Sequence, residues 1–246
     1  MSVVCARGES ALEALSAHFD DCSRQGTPRQ VWWRDDDAGA PGPKLDALMM
    51  LAQDTGAPVA LAVIPHRATA ALMQLCETRD IDVLQHGVRH ANHQPSGKSA
   101  ELGDGRPIEV IMSEVVAARA LLSGGSVLEV MVPPWNRMRI DLMPALGDAG
   151  YAGVSQFGGP PQKGVPYRVD THIDPVAWRT TRTLASDSAL RAMTEAAIGT
   201  EGPIGLLTHH MDHDTAISEF VSAFAQLVCA HPGAQWVSAK TLFARP

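Results

Sequence analysis

The chain has 246 residues, 45% of them hydrophobic and 19% charged, with a formal net charge of −7. This content supports a sizeable core and excludes a disordered chain, and the acidic balance argues against a large phosphate-backbone footprint, so no nucleic acid partner is expected. The four cysteines, Cys5, Cys22, Cys76 and Cys229, are scattered without CxxC pairing, as reduced thiols of a cytoplasmic protein would be.

Residues 1–19 lack a basic segment followed by a long apolar core, and no apolar run approaches the ~20 residues that span a bilayer. The expectation is a cytoplasmic protein without a membrane partner. Residues 9–24 read as a helix, and "QVWWRDD" (30–36) as a strand that ends in charge. "GPKLDALMMLAQDTG" is a helix with Pro43 near its start and Gly56 past its end, the usual punctuation. Strand 58–64, helix 67–78 and strand 81–86 follow. Residues 87–106 form a long Gly-, Ser-, Asn- and Pro-rich loop, and loops of that length inside domains are commonly functional. Next come helix 107–122, strand 126–132, helix 140–149, strand 152–157, a Gly/Pro-rich connection and strand 168–178. Helix 187–199, strand 203–209, helix 215–230, strand 234–239 and a short helix complete the pattern.

Alternating strands and helices without a composition break imply a single α/β domain over residues 1–246 with a parallel sheet. The number of units favours a closed TIM-like barrel, an open sheet being the alternative. The polar clusters matter more. Asp35–Asp37, His86, the segment 133–137, and His209 with His210 all follow strands. In parallel α/β folds, such strand ends form the active face.

"WWRDDDAGAPG" sets three carboxylates side by side, which a bound cation would relieve of repulsion; a solvated turn is the plainer alternative. "HGVRH" spaces His86 and His90 four apart, and on one helical turn both imidazoles would reach a single ion. His93 reads as a loop histidine. "LLTHHMDHD" ends a strand in histidines suited to proton transfer near neutral pH, with Asp214 as the cap of the next helix. "MVPPWNRMR" joins a rigid Pro-Pro to an aromatic platform. In "DTHIDPVAW", His172 and Asp174 would orient a catalytic partner or satisfy each other.

In order, "DDDAG", "HGVRH", "VPPWN", "DTHIDPVAW" and "LTH" resemble the five segments of the polysaccharide deacetylases of carbohydrate esterase family 4. The resemblance spans roughly residues 30–215. It implies a distorted (β/α)7 barrel holding a divalent metal, zinc foremost, and hydrolysis of an N-acetylated sugar or oligosaccharide. It makes Asp36 the general base, Asp37, His86 and His90 the metal ligands, and His209 the general acid. Sliding the register by one gives Asp35 and Asp36 instead of Asp36 and Asp37. The family's arginine falls on Val132, so Arg34 or Arg137 would pair with the base; Arg137 stands among the expected catalytic residues. Ala38 and Gly87 replace a Gly and a Ser or Thr of the family pattern, and "DTHIDPVAW" departs from its D-x-x-D-W spacing. Trp135, Asn136 and His210 are the expected substrate contacts, with Glu101 and Arg106 of the long loop as further ones. Hydrolysis of a small non-sugar amide, or sugar binding without catalysis, are the alternatives.

Overall fold

A computed structural model describes residues 8–124 and 126–244, so Cys5 lies outside the described residues. Cys22, Cys76 and Cys229 are free thiols. Eight parallel strands form the sheet: β1 (Arg29–Ala38), β2 (Val59–Val63), β3 (Val83–His86), β4 (Val127–Val132), β5 (Gly153–Val154), β6 (Tyr167–Arg168), β7 (Ile204–Thr208) and β8 (Ala234–Trp236). Their order is β6-β5-β4-β3-β2-β1-β7, and β8 pairs with the opening residues of β1. Around them pack α1 (Glu9–Arg24), α2 (Pro43–Asp54), α3 (Ala70–Thr78), α4 (Ile108–Arg119), α5 (Leu142–Asp148), α6 (Asp187–Ile198), α7 (Thr215–Ala230) and α8 (Ala239–Leu242). No helix among the described residues is long and apolar enough to cross a membrane.

Strand alternation explains β1. Trp32 turns into the barrel with Ala60, Ala62, Leu84, Val130, Val132 and Val169, where small β2 side chains make room for the indole. Val31 and Trp33 turn outward to the helices, among them Leu15, Phe19 and Phe224. Both faces are buried, so the strand is a continuous apolar run rather than an alternating one. The buried residues of α7, including Ile217, Phe220, Val221, Phe224 and Val228, recur at helical spacing, and truncating Phe224 to Ala would cost about 3–5 kcal/mol. Asp214 caps this helix as expected, its carboxylate accepting the Ile217 N–H at 2.8 Å. Pro43 opens α2, and Gly56 follows its end with φ 61.

Three expected strands differ: 152–157 shortens to Gly153–Val154, 234–239 to Ala234–Trp236 with Ala239 already opening α8, and 168–178 changes most. Of 168–178, only the first residue lies in a regular strand, β6. Beyond it, Thr171 bridges to Phe157 and Ile173 to Leu206, so this irregular segment carries the ring from the β5 side to β7. Its path presses on β7 at Gly205, where a Cβ would fall 2.6 Å from the Thr171 Cα. The run stops because Pro175 has no N–H to donate and Asp174 folds back to accept the Val176 N–H at 3.0 Å.

The long loop 87–106 is tied to itself and to its surroundings. Asn92 Oδ1 accepts the N–H groups of Gln94 and Ala100, the His93 N–H donates to the Ala100 carbonyl, and Leu102 is buried beside Met138.

Candidate active site

The three aspartates of β1 diverge because the strand breaks register between Asp35 and Ala38 and Asp37 takes φ 70. Asp35 stays on the outer face. It accepts hydrogen bonds from the Thr208 hydroxyl (2.6 Å), the His210 backbone N–H (2.9 Å) and His210 Nδ1 (2.5 Å), and Trp33 Nε1 donates to the same hydroxyl at 2.8 Å. Asp36 faces inward, one layer above Arg34. The two form a bidentate pair, Nε to Oδ1 at 2.8 Å and Nη2 to Oδ2 at 3.0 Å, with both side chains buried. Arg34 spends its remaining donors on Ser155 Oγ (2.6 Å), the Gln156 carbonyl (3.2 Å) and Asn136 Oδ1 (2.6 Å). Removing one member of so buried a pair strands the other's charge.

Asp37 turns to the end of β3. Its Oδ1 lies 3.1 Å from His86 Nε2 and 3.3 Å from His90 Nε2, and the three groups' ligand atoms all fall within 4.8 Å of one another. The register that places Asp37, and not Asp36, beside the histidines is therefore the one the fold adopts. The two histidines do not meet on a helical turn as their spacing suggests. His86 ends the strand, and Gly87 (φ 57) and His90 (φ 59) both take left-handed backbone, so a tight loop swings the second ring back over the first. Their ring centroids are 5.2 Å apart.

His86 Nδ1 is 3.0 Å from the Val132 carbonyl, which can only accept, so Nδ1 carries the proton and Nε2 is aimed into the site. The donor set, one carboxylate and two imidazole nitrogens converging on a common point, fits a divalent ion such as zinc. Burial alone would raise the Asp37 carboxyl, but the hydrogen bond from His86 and the charges of His86, His209 and His90 hold it well below the usual range. Burial would likewise lower His86; the Asp36 charge and the Asp37 bond reverse this and hold it above its ordinary value. His90 is lowered, chiefly by burial.

Two indoles flank these groups. Trp135, after β4 and with φ 55, sets its ring 4.2 Å from that of His90. Trp178, 39% exposed, stands edge-on to His209 at 4.6 Å and donates from Nε1 to Asp174 Oδ2 at 2.7 Å. Asp174 thus has its indole partner four residues on, where the family pattern has it adjacent. Burial holds its carboxyl above the usual carboxylate range, with the nearby His209 only partly opposing. His209 Nδ1 is buried without a hydrogen-bond partner among the described residues.

Several expected residues have other partners. Arg137 does not pair with Asp36; its Nη1 donates to the Ser99 carbonyl at 2.9 Å, because its chain leaves the rim toward the long loop while Arg34 shares the strand face of Asp36. His210 is 2% exposed and bonded to Asp35 on the outer face of the sheet. Asn136 Oδ1 is taken by Arg34. Glu101 is 1% exposed beneath the "HGVRH" loop, and Arg106 pairs with Glu114 at 2.7 Å. His172 and Asp174 do not satisfy each other, since His172 Nδ1 accepts from the Gly205 N–H at 3.1 Å. Of the two arginines offered as partners of the base, Arg34 is the one that pairs, and its i, i+2 relation to Asp36 on a strand is the signal that separates it from Arg137. Glu101 carries no such signal.

No family model and no curated protein matches the chain. Solved structures do. A provisionally named polysaccharide deacetylase from Mycobacterium smegmatis matches with a TM-score of 0.59 at 16% identity over 99% of this chain and 91% of that one. A family 4 acetyl xylan esterase from Clostridium thermocellum, in complex with a cobalt ion, gives 0.57 at 12% identity over 87% and 90%. A family 4 carbohydrate esterase from Streptomyces lividans, in complex with acetate, gives 0.55 at 15% identity over 85% and 91%. The chain has the distorted barrel fold of the family 4 carbohydrate esterases.

Proposed function

We propose that the chain is a divergent family 4 carbohydrate esterase, a hydrolase that uses a divalent cation to remove the acetyl group from an N-acetylated sugar or oligosaccharide. The observation that carries this reading is the convergence of His86 Nε2 and His90 Nε2 on one oxygen of Asp37, with the Arg34–Asp36 pair and His209 on the same rim.

Asp37, His86 and His90 would hold the ion, with zinc best suited to the donor set. When bound, the ion polarises the amide carbonyl and makes water acidic enough to attack it near neutral pH. Asp36, held by the Arg34 fork, takes a proton from the attacking water. His209 gives a proton to the departing amine as the C–N bond breaks. With Nδ1 donating to the Val132 carbonyl, His86 would present Nε2 to the ion. The indoles of Trp135 and Trp178, set on either side, favour a sugar, since flat rings match the apolar faces of pyranoses while polar groups fix their orientation.

The test is acetate release from a panel of N-acetylated sugars and small cyclic amides. Turnover of sugars that stops with a chelator and returns with zinc is expected. Turnover of the amides alone would refute the sugar assignment, and turnover indifferent to the chelator would refute the role of the cation.

A further inference from the structure

Glu101 is a buried carboxylate with no ion-pair partner among the described residues, which calls for an explanation. Its compensation is entirely backbone. Oε2 accepts the Val88 N–H at 2.8 Å, and Oε1 accepts the N–H groups of Arg89 at 2.8 Å and Ala91 at 3.1 Å. All three donors belong to the loop that leads from His86 to His90 and just past it. The two amides on Oε1 bracket His90, a non-glycine residue held at φ 59, a conformation that L side chains resist. Successive N–H groups turned to one side form a concave anion site, and here the Glu101 carboxylate fills it.

The same packing accounts for the glycine in "HGVRH". A Cβ at Gly87 would collide with the Glu101 carboxylate, and would lie 2.5 Å from Pro134 Cγ. At this position the chain has no side chain, and the Glu101 carboxylate occupies the space one would take. From the other side, Gln85 Nε2 donates to the Gly87 carbonyl at 3.0 Å, and the Tyr151 hydroxyl donates to Gln85 Oε1 at 2.5 Å. The main chain that carries this carboxylate is anchored: the Glu101 carbonyl accepts from Arg106 Nη2 at 3.3 Å, Arg137 Nη1 donates to the Ser99 carbonyl, and the Arg139 N–H donates to that of Leu102.

We infer that Glu101 is the positioning residue of the cation site: it moulds the 87–91 loop so that His90 Nε2 meets His86 Nε2 and Asp37 before any ion arrives. This assigns the long loop a role in building the site rather than in contacting substrate. The inference rests on the reading of Asp37, His86 and His90 as cation ligands.

The experiment is Co²⁺ titration of the full chain, followed by visible absorption, for wild type, Glu101→Gln and Glu101→Ala. Thermal unfolding of each apo protein runs in parallel. Wild type should bind Co²⁺. Both variants should lose affinity about 10- to 100-fold, the range found when groups supporting metal ligands are removed, with Ala worse than Gln and altered d–d bands in each. A lower thermal midpoint with unchanged Co²⁺ affinity and spectrum would make Glu101 merely structural and overturn the inference. Failure of the wild type to bind Co²⁺ would overturn the cation reading as well. Should neither variant fold, amide exchange in the wild type decides. Val88, Arg89 and Ala91 must be protected without Co²⁺, and protection gained only on adding it would overturn the inference.

Discussion

At the end of β3, His86 and His90 are four residues apart and meet on one carboxylate oxygen; at the end of β7, His209 and His210 are adjacent and part company. In the first case two left-handed residues fold the chain back on itself. In the second the chain is still extended at His209, so neighbouring side chains fall on opposite faces of the sheet. His209 turns to the barrel mouth beside Trp178, and His210 turns to the outer layer and Asp35. Spacing alone tells little about which histidines share a task; the local backbone decides.

The contrast between the inner and outer histidine is open to direct attack. Substituting the inner one, His209→Ala, should reduce kcat about 10²- to 10⁴-fold, the usual contribution of a general acid, with bound metal retained. Loss of the ion in that variant would make His209 a ligand instead. Arg34→Ala should be next in size. It leaves the buried Asp36 uncompensated and should lower the unfolding free energy by about 3–5 kcal/mol in urea titration. A loss under about 1 kcal/mol would mean that water reaches and solvates Asp36. The outer histidine should show its loss in stability: His210→Ala removes one hydrogen bond from buried Asp35 and should cost about 1–3 kcal/mol, with a far smaller change in kcat than at His209.

The smallest effect is a pH dependence. Burial by itself lowers His210, but the hydrogen bond and charge of Asp35 outweigh it and hold the imidazole above its ordinary value, with Asp37 adding to this and Lys44 opposing. A histidine held up in the folded state contributes stability that is whole below about pH 6.5 and is lost as pH rises through the raised value. The stability gap between wild type and His210→Ala should therefore narrow as pH is raised from mildly acidic to alkaline. A gap that stays constant or widens across that range would contradict the assignment.

Much of this was legible in the residues themselves. The apolar run into "RDDDA", the punctuation of α2 by Pro43 and Gly56 and the Asp214 cap of α7 mark their elements because each signal is local. The 168–178 segment misleads because its apolar and polar residues suit a strand, while the chain crosses from the β5 side to β7 through isolated bridges at Thr171 and Ile173 before Asp174 folds back on Val176, and periodicity registers neither. The spacing of His86 and His90 predicts their meeting through a helical turn, whereas two left-handed residues bring them together. The sequence leaves Arg34 and Arg137 as alternative partners of Asp36, and the strand decides between them: residues two apart on β1 share its inner face, while Arg137 reaches the Ser99 carbonyl. Glu101 was beyond reach of sequence reasoning, for its meaning lies in three amides ten to thirteen residues away.

The most direct trial of the account is the metal content of the purified chain, loaded with zinc and freed of excess, beside that of the His86→Ala/His90→Ala double variant. About one equivalent in the wild type and essentially none in the folded variant is the predicted result. Equal content in both proteins, or no bound ion in the wild type, would contradict it.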